Sequence, residues 1–299
     1  MKRCASAEFI TVDRVSALHG VDLVKARFVT RSTPLHSHVE VEIGVVSSGR
    51  RLVRCRGRTY GAETGSIVIF NPGEIHSGAP VDERGSNYRA FLVPPATLSR
   101  VADWRAEPGT GATLPWFEAP VFLDDKLARE LVAAHVALGA RKPGVEIDSR
   151  LAEILARLAR RYRRAAPALP AGHREHEAVL RVRAFLDRHY GSKVRLGTLA
   201  DVAGLSVYHM IRVFRATTGL PPYAYLEQVR VNHAAALLRE GQPVSRVAFR
   251  TGFADQSHLT RFFKRLIGVP PGRYKRSVLL ARRTERTGVE RPLSRPAQS

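Results

Sequence analysis

The sequence predicts an α+β chain of two domains: an N-terminal β-barrel with a helical hairpin beside it, and an all-α C-terminal half built on a double helix-turn-helix plan. Three observations predict it. Short apolar runs separated by turn residues fill 23–95, the apolar period lengthens to that of helices from 124, and a glycine-punctuated helical pattern occurs twice in the last third, about 48 residues apart.

Taken in order, LVKARFV, VEIGVV, RLVRC, SIVIF and YRAFLV read as strands, with SSG, RG, ETG, NPG and DERG between or beside them, which suits a small barrel or sandwich. Leu127, Leu131, His135 and Leu138 then form one helical stripe. Ile147, Leu151, Ile154, Leu155, Leu158 and Tyr162 form another, with PG at 143–144 between them. A small barrel need not cover all of the second stripe, so Leu151, Ile154, Leu155 and Leu158 are expected to carry a homodimer contact, the alternative being that the stripe packs only on its own barrel. The run RRYRRA reads as a solvated helix end. APALPAGH, at 166–173, interrupts two helical patterns and reads as a linker. The expected organisation is 1–165 barrel domain, 166–176 linker, 177–277 helical domain and 278–299 basic tail, disordered because it is rich in Arg and Pro with no apolar period.

Of 299 residues, 44% are apolar and 25% charged, the composition of a folded protein. Lys and Arg outnumber Asp and Glu by 48 to 27, a formal charge of +21 with a pI near 11.1, so a polyanion is the expected partner, nucleic acid before membrane. The net charge is +7 up to residue 170 and +14 beyond it, which points the polyanion to the second half. Cys4 and Cys55 are too few for a disulfide framework or a thiolate metal cage, and fit a reducing cytosol. No stretch approaches the roughly 20 apolar residues that span a bilayer, and the N-terminus lacks a signal-like apolar core, so neither secretion nor membrane insertion is expected.

Within LGTLADVAGLSVYHMIRVFRATTG (196–219), Leu199, Ala200 and Ala203 share one face of a short helix. Gly204 suits the left-handed conformation that ends it, and Ser206 suits the N-cap of the next. In that next helix Met210, Val213 and Phe214 form the buried stripe, leaving Val207, Tyr208, Ile211, Arg212 and Arg215 outward. Apolar and aromatic groups beside arginines suit a helix in the DNA major groove, where they meet thymine methyls while Arg forks onto guanine. VSRVAFRTGFADQSHLTRFFKRLIG (244–268) repeats the plan. Val247 and Ala248 lie inward, Gly252 makes the turn, Asp255 caps, and Leu259, Phe262 and Phe263 form the core, with Gln256, Ser257, His258, Thr260, Arg261, Lys264 and Arg265 on the remaining surface. One helix, starting at the prolines of PPYAYLEQVRVNHAAALLREG, joins the two units.

Through Leu199, Ala200, Ser206, Arg212, Phe214, Gly219, Arg230, Gly252, Phe253, Ser257, Arg261, Phe263, Pro271 and Tyr274, the segment from about 178 to 276 resembles the DNA-binding domain of the AraC/XylS family of bacterial transcription regulators. Val247 stands where that family usually has isoleucine. The resemblance implies recognition helices at 206–217 and 256–266. The DNA contacts expected on them are Ser206, Tyr208, Ile211, Arg212, Arg215, Gln256, Ser257, His258, Thr260, Arg261 and Lys264, with Arg215, Lys264 and Arg265 suited to phosphates. The connector Pro222 to Leu238 spans about 25 Å as a helix, within reach of two major-groove segments about 34 Å apart, so one protomer is expected to read both.

LHSHVEVEIGVVSSG and GSIVIFNPGEIH are similar to the two cupin motifs. His36, His38 and Glu42 stand in HxHxxxE order, Gly49 follows, and His76 lies eleven residues after Gly65. Thr30 replaces a glycine before the first motif, and Asn71 takes the place of a proline that is displaced to Pro72. The resemblance implies that His36, His38, Glu42 and His76 project into the barrel. Three readings of these four stay open: the wall of an organic effector pocket, the ligands of one divalent metal as in metal-binding cupins, or histidines hydrogen-bonded at the barrel mouth. The AraC/XylS resemblance implies an effector-binding and dimerisation domain; the first reading leads, and on it no cofactor and no metal are expected. The chain is therefore read as a cytoplasmic, effector-responsive transcription regulator rather than an enzyme, with activation and repression both open. Its expected partners are double-stranded DNA, a small-molecule effector, a second copy and RNA polymerase. The rival is a cupin metalloenzyme or metal sensor carrying a DNA-targeting module.

Overall fold

A computed structural model of the chain describes residues 8–15, 18, 20–102, 115–140, 145–164 and 174–287. The N-terminal half runs β1 (Phe9–Arg14), β2 (Asp22–Phe28), β3 (Val41–Cys55), β4 (Arg58–Glu63), β5 (Ser66–Phe70), β6 (His76–Pro80), β7 (Ser86–Val93), α1 (Pro95–Ala102), β8 (Trp116–Phe117), β9 (Val121–Leu123), α2 (Asp125–Gly139), α3 (Val145–Tyr162) and β10 (Arg163–Arg164). Its main sheet has the order β1-β2-β7-β3-β5-β9, with β4 and β6 also paired to β3.

β3 organises this barrel. Its first half pairs antiparallel with β5 and β7, its second half with β4 and β6. The change of partners follows a register shift between Val46 and Ser48 and a Gly49 at φ 79°, where a Cβ would strike the Gly85 carbonyl oxygen. SSG, expected to separate two strands, is thus a bend inside one: a bulge absorbs the change of direction and the ladder continues. Side chains alternate across β3. Val41, Ile43 and Val45 join Ile67, Ile69 and Phe91 under the helices, while Val46, Val53 and Cys55 join Phe28, Val68, Phe70 and Tyr88 inside the barrel. With both faces covered, VEIGVV is buried at all six positions and reads as a continuous apolar run.

α2 and α3 pack on the outer face of that sheet. Leu151, Ile154, Leu155 and Leu158 are 0–3% exposed within one chain, in a core with Leu98, Leu127 and Leu131. This corrects the dimer contact expected of them. α1, which the sequence pattern does not reveal, lies against α3 and covers the flank assumed to be open. Burying such side chains stabilises the barrel by about 1.5–3 kcal/mol each, so they are not surplus surface. On α2, His135 is also internal: its Nε2 lies 3.0 Å from the Val24 carbonyl and its Nδ1 3.3 Å from Arg89.

The C-terminal half is helical throughout its described residues: α4 (Arg174–Arg188), α5 (Leu196–Ala203), α6 (Val207–Thr218), α7 (Pro222–Arg239), α8 (Val244–Arg250), α9 (Gln256–Ile267) and α10 (Pro271–Thr287). Gly204 ends α5 in the left-handed region, Ser206 Oγ accepts from His209 N–H at the start of α6, and Asp255 accepts from His258 N–H at the start of α9. One core holds Val182, Leu199, Met210 and Phe214, the other Leu238, Val247, Phe253, Leu259 and Phe263. The second core also takes in Val12, with Ile10 packed beside it, so β1 of the barrel contributes to the helical half. α10 stays helical to Thr287, ten residues past the start expected for a disordered tail, because Tyr274 and Val278 are buried in this second core. The linker expected at 166–176 falls mostly outside the described residues, as do Cys4 and 288–299.

Candidate functional site

Inside the barrel, Glu42 extends from the inner face of β3. Gly44 faces Tyr88 so closely that a Cβ would overlap the phenol, and this lets Tyr88 OH donate to Glu42 Oε1 at 2.8 Å. Glu42 Oε2 lies 3.1 Å from His38 Nε2 and 3.5 Å from His76 Nε2. Burial alone would raise this carboxyl, but the contacts with His38 and His76 outweigh it and hold it well below the usual carboxylate range.

The histidines reach the cluster differently from the expected alternation along one strand. His36 and His38 sit in the 29–40 segment ahead of β3, and His36 is fixed by a lone bridge to His76, its N–H to His76 O at 2.9 Å and the reverse bond at 2.8 Å. Nδ1 of His36 lies 2.8 Å from Pro34 O, and Nδ1 of His76 lies 2.8 Å from Glu74 O, so each donates outward and turns Nε2 inward. His76 Nε2 is buried and, despite its nearness to Glu42, makes no hydrogen bond of acceptable geometry. Ring nitrogens of His36, His38 and His76 lie within 4.8 Å of one another. Desolvation and the neighbouring imidazoles hold His36 well below the ordinary histidine range, and burial lowers His76 too. For His38 burial opposes charging, but Glu42 more than offsets it and the net shift is upward. Three inward imidazoles and one carboxylate form a donor set that fits a divalent first-row metal.

The four residues line a cavity of about 120 Å³ together with Phe28, Arg51, Val53, Val68, Phe70 and Tyr88. Its far wall belongs to the helical half, through Asn232, Ala235 and Arg239 of α7, Leu266 and Ile267 of α9, and Tyr274 of α10. Arg239 locks this wall: Nη2 is 2.5 Å from Glu40 Oε1 and 3.4 Å from Asp22 Oδ2, and Nε donates to Tyr274 OH at 2.8 Å. Tyr274 OH donates on to Asp22 Oδ2 at 3.1 Å, and Arg14 meets the other Asp22 oxygen at 3.0 Å. Single-sequence reasoning missed Asp22, Glu40, Arg51, Tyr88, Gln228 and Arg239. Only the inward carboxylates within apolar strands offered a signal.

On α6, Tyr208 is 80% exposed and Arg212 and Arg215 are exposed, while Ile211 is half-buried against the first helical core rather than fully outward. On α9, Gln256, Ser257, Arg261 and Lys264 are exposed. His258 leans its ring on Phe253 and Phe262, and Thr260 Oγ1 donates to Gln256 O, so both are also bound to their own unit. Ser206 spends its hydroxyl on the cap. Tyr208, Ile211, Arg212 and Arg215 face the barrel across a cleft of about 970 Å³, whose opposite side is Arg54, Arg56, Glu74 and Ile75. Lys264 and Arg265 lie at the rim of the barrel cavity.

A barrel whose internal cavity holds a cluster of polar side chains, closed by a domain of two helix-turn-helix units, is the architecture of a ligand-responsive DNA-binding regulator. Residues 18–165 match the AraC-like ligand binding domain and 199–277 a helix-turn-helix domain. The chain is 30% identical over 239 residues to the uncharacterized HTH-type transcriptional regulator YbfI of Bacillus subtilis, covering 80% of this chain and 86% of that one. It is 26% identical to the HTH-type transcriptional activator RhaS of Klebsiella pneumoniae over 84% of this chain and 94% of that one. In fold it is similar to an apo ToxT variant from Vibrio cholerae, with a TM-score of 0.51 at 9% identity, over 91% of this chain and 98% of that one. The chain belongs to the AraC/XylS family of transcription regulators.

Proposed function

We propose that the cavity bounded by His36, His38, Glu42 and His76 is the effector site, and that its occupancy sets how the helical half is held against the barrel. One observation carries this reading. The segment Leu35 to Glu40 supplies two of the cavity histidines and also the bonds to α7, through Leu35 and Ser37 to Gln228 and through Glu40 to Arg239. A ligand that moves His36 or His38 therefore pulls on the connector between the two readers. In the arrangement described, α6 faces the barrel across its cleft, so a duplex engaging both α6 and α9 requires the halves to shift.

The reading is of a regulator rather than a catalyst, acting in the cytoplasm where its DNA lies, and activation is proposed on the likeness to RhaS. No helix among the described residues is long and apolar enough to cross a membrane. A second copy and RNA polymerase are proposed as further partners, but the second copy is not held by Leu151, Ile154, Leu155 and Leu158, which are internal to one chain. The test is a thermal-shift screen of the full chain against small metabolites, followed by DNA titration with and without each hit. A hit should change DNA affinity in wild type and lose its effect in His76→Ala, while the variant still binds duplex DNA. Hits that act equally on His36→Ala, His38→Ala, Glu42→Ala and His76→Ala place the effector elsewhere.

A second reading is favoured by the Nδ1 bonds to Pro34 O and Glu74 O, the outer-sphere pattern that orients metal-ligating histidines. In it the same four side chains hold one divalent cation, which would supply a Lewis-acid anchor for the effector. Metal analysis of protein purified without a polyhistidine tag decides it. About one equivalent retained by wild type and lost in His76→Ala supports the metal, and metal-free protein with full effector response rules it out.

A further inference from the structure

We propose that the effector is a compact carboxylic acid, its carboxylate received by the guanidinium of Arg51 and its apolar body lying against Phe28, Val53, Val68 and Phe70. This rests on the effector reading above and names the ligand class of that site. Arg51 lies on the inner face of β3, between Arg50 and the outward Leu52, and is only 5% exposed. Its Nε and Nη1 are buried with no hydrogen-bond partner among the described residues. The carboxylates that line the same cavity are already engaged, Glu42 Oε1 with Tyr88 OH and Oε2 with His38, Glu40 with Arg239, and Asp22 with Arg14, Tyr274 and Arg239. Arg51 Cζ does lie 4.5 Å from the ring centre of Tyr88 and 4.9 Å from that of Phe28, and these contacts offset part of its desolvation. They leave the Nε and Nη1 donors unmade, and a buried donor without an acceptor is costly.

A guanidinium fork matches a carboxylate better than it matches an alcohol or an amide, because two parallel charge-assisted bonds form at once. Around Arg51 the cavity is walled by aliphatic and aromatic carbon, which disfavours a sugar whose hydroxyls would lose water there. Gly78 leaves room for the fork: a Cβ there would overlap Arg51 Nη2. The size is limited too. A cavity of about 120 Å³ is somewhat smaller than the roughly 150 Å³ apolar cavity that accommodates benzene, so the body is about the size of one ring or a short branched chain.

The competing explanation is structural, an Arg51–Glu42 pair joined through water. Two measurements on the full chain separate them. The first is the thermal stability of Arg51→Met without ligand. If Arg51 awaits an anion, replacing an unsatisfied buried charge with a shorter, unbranched apolar chain leaves Tm unchanged or raises it. If Arg51 instead neutralises Glu42, Tm falls, and that result overturns the proposal. The second uses 3-methylbutanoate and cyclopentanecarboxylate against their neutral amides. At about 100-fold excess over Kd an acid should raise wild-type Tm by about 5 °C, and Arg51→Met should weaken its binding about 100-fold. Amides that shift Tm as far as the acids, acids that shift Arg51→Met as far as wild type, or the absence of any acid-induced shift would each overturn it. Failure here leaves the effector reading separately testable, since a neutral ligand whose effect is lost in His76→Ala supports that reading without the acid.

Discussion

Gln228 Oε1 accepts from both the backbone N–H and the hydroxyl of Ser37, each at 2.8 Å, so one side chain of the DNA-binding half grips the residue between the two cavity histidines His36 and His38. Its Nε2 donates to Leu35 O at 3.1 Å, which satisfies the rest of a nearly fully buried amide. Cavity and connector are therefore one hydrogen bond apart.

Gln228→Ala removes three bonds to the 35–37 segment and strands Ser37. It should cost about 1–3 kcal/mol of stability and blunt the effector response, while duplex binding by the exposed arginines persists. Chemical denaturation gives the first and DNA titration with and without effector the second. A response equal to wild type would show that this grip carries no signal.

His135 gives the barrel an acid-side weakness. Burial and the nearby Arg89 push its pKa down to about 4 from 6.5, so the folded protein keeps it neutral where the unfolded chain charges it. Its contribution is complete above about pH 6.5 and is lost as the pH falls toward 4, at most about 3 kcal/mol. His135→Gln, able to donate to Val24 O without titrating, should flatten the stability profile across that window. His36 and His76 act with the same sign, so part of the slope remains.

Leu151→Glu with Leu158→Glu should abolish the cooperative melting of the barrel, since two carboxylates enter a core at a cost of at least about 4 kcal/mol. Circular dichroism with sedimentation distinguishes this from surface disruption. A folded double variant of smaller mass than wild type would restore the stripe as a dimer contact.

Arg212→Ala and Arg261→Ala should each lose about 1–3 kcal/mol of affinity for a selected operator, and each should relax preference at a different position about one turn apart. Binding should fall with salt with a log–log slope of roughly −5 to −7 if about 6 to 8 phosphates are neutralised. Two variants that weaken every sequence equally would leave α6 and α9 as backbone grips only.

What was legible in the sequence followed from local rules. Gly204, Ser206 and Asp255 stand where caps require them, and the apolar periods of α6 and α9 located the cores, so the DNA-binding half could be read nearly residue by residue. The His36, His38, Glu42 and His76 cluster was legible as a pattern, though not in its geometry, because two of its members lie on a loop held by a single bridge. Long-range closure was hidden. Nothing near Leu151 announces that α1 covers it, nothing near Arg51 says that it turns into the barrel cavity, and nothing in α7 says that Gln228 and Arg239 face a loop segment nearly 200 residues earlier. Asn71, the departure from the cupin pattern, proved to be a tie: its side chain donates to Phe117 O at 2.9 Å and accepts from Phe117 N–H at 2.9 Å, pinning β8 to the turn that carries His76.

The sharing of Ile10 and Val12 between barrel and helical half has a consequence for synthesis. A ribosome releases β1 long before α9 and α10 exist, so this edge strand waits, paired only to β2, until the last helices arrive. The barrel edge is thus part of the surface on which the second reader packs, and a chain lacking its first strand should have final helices missing part of their seat.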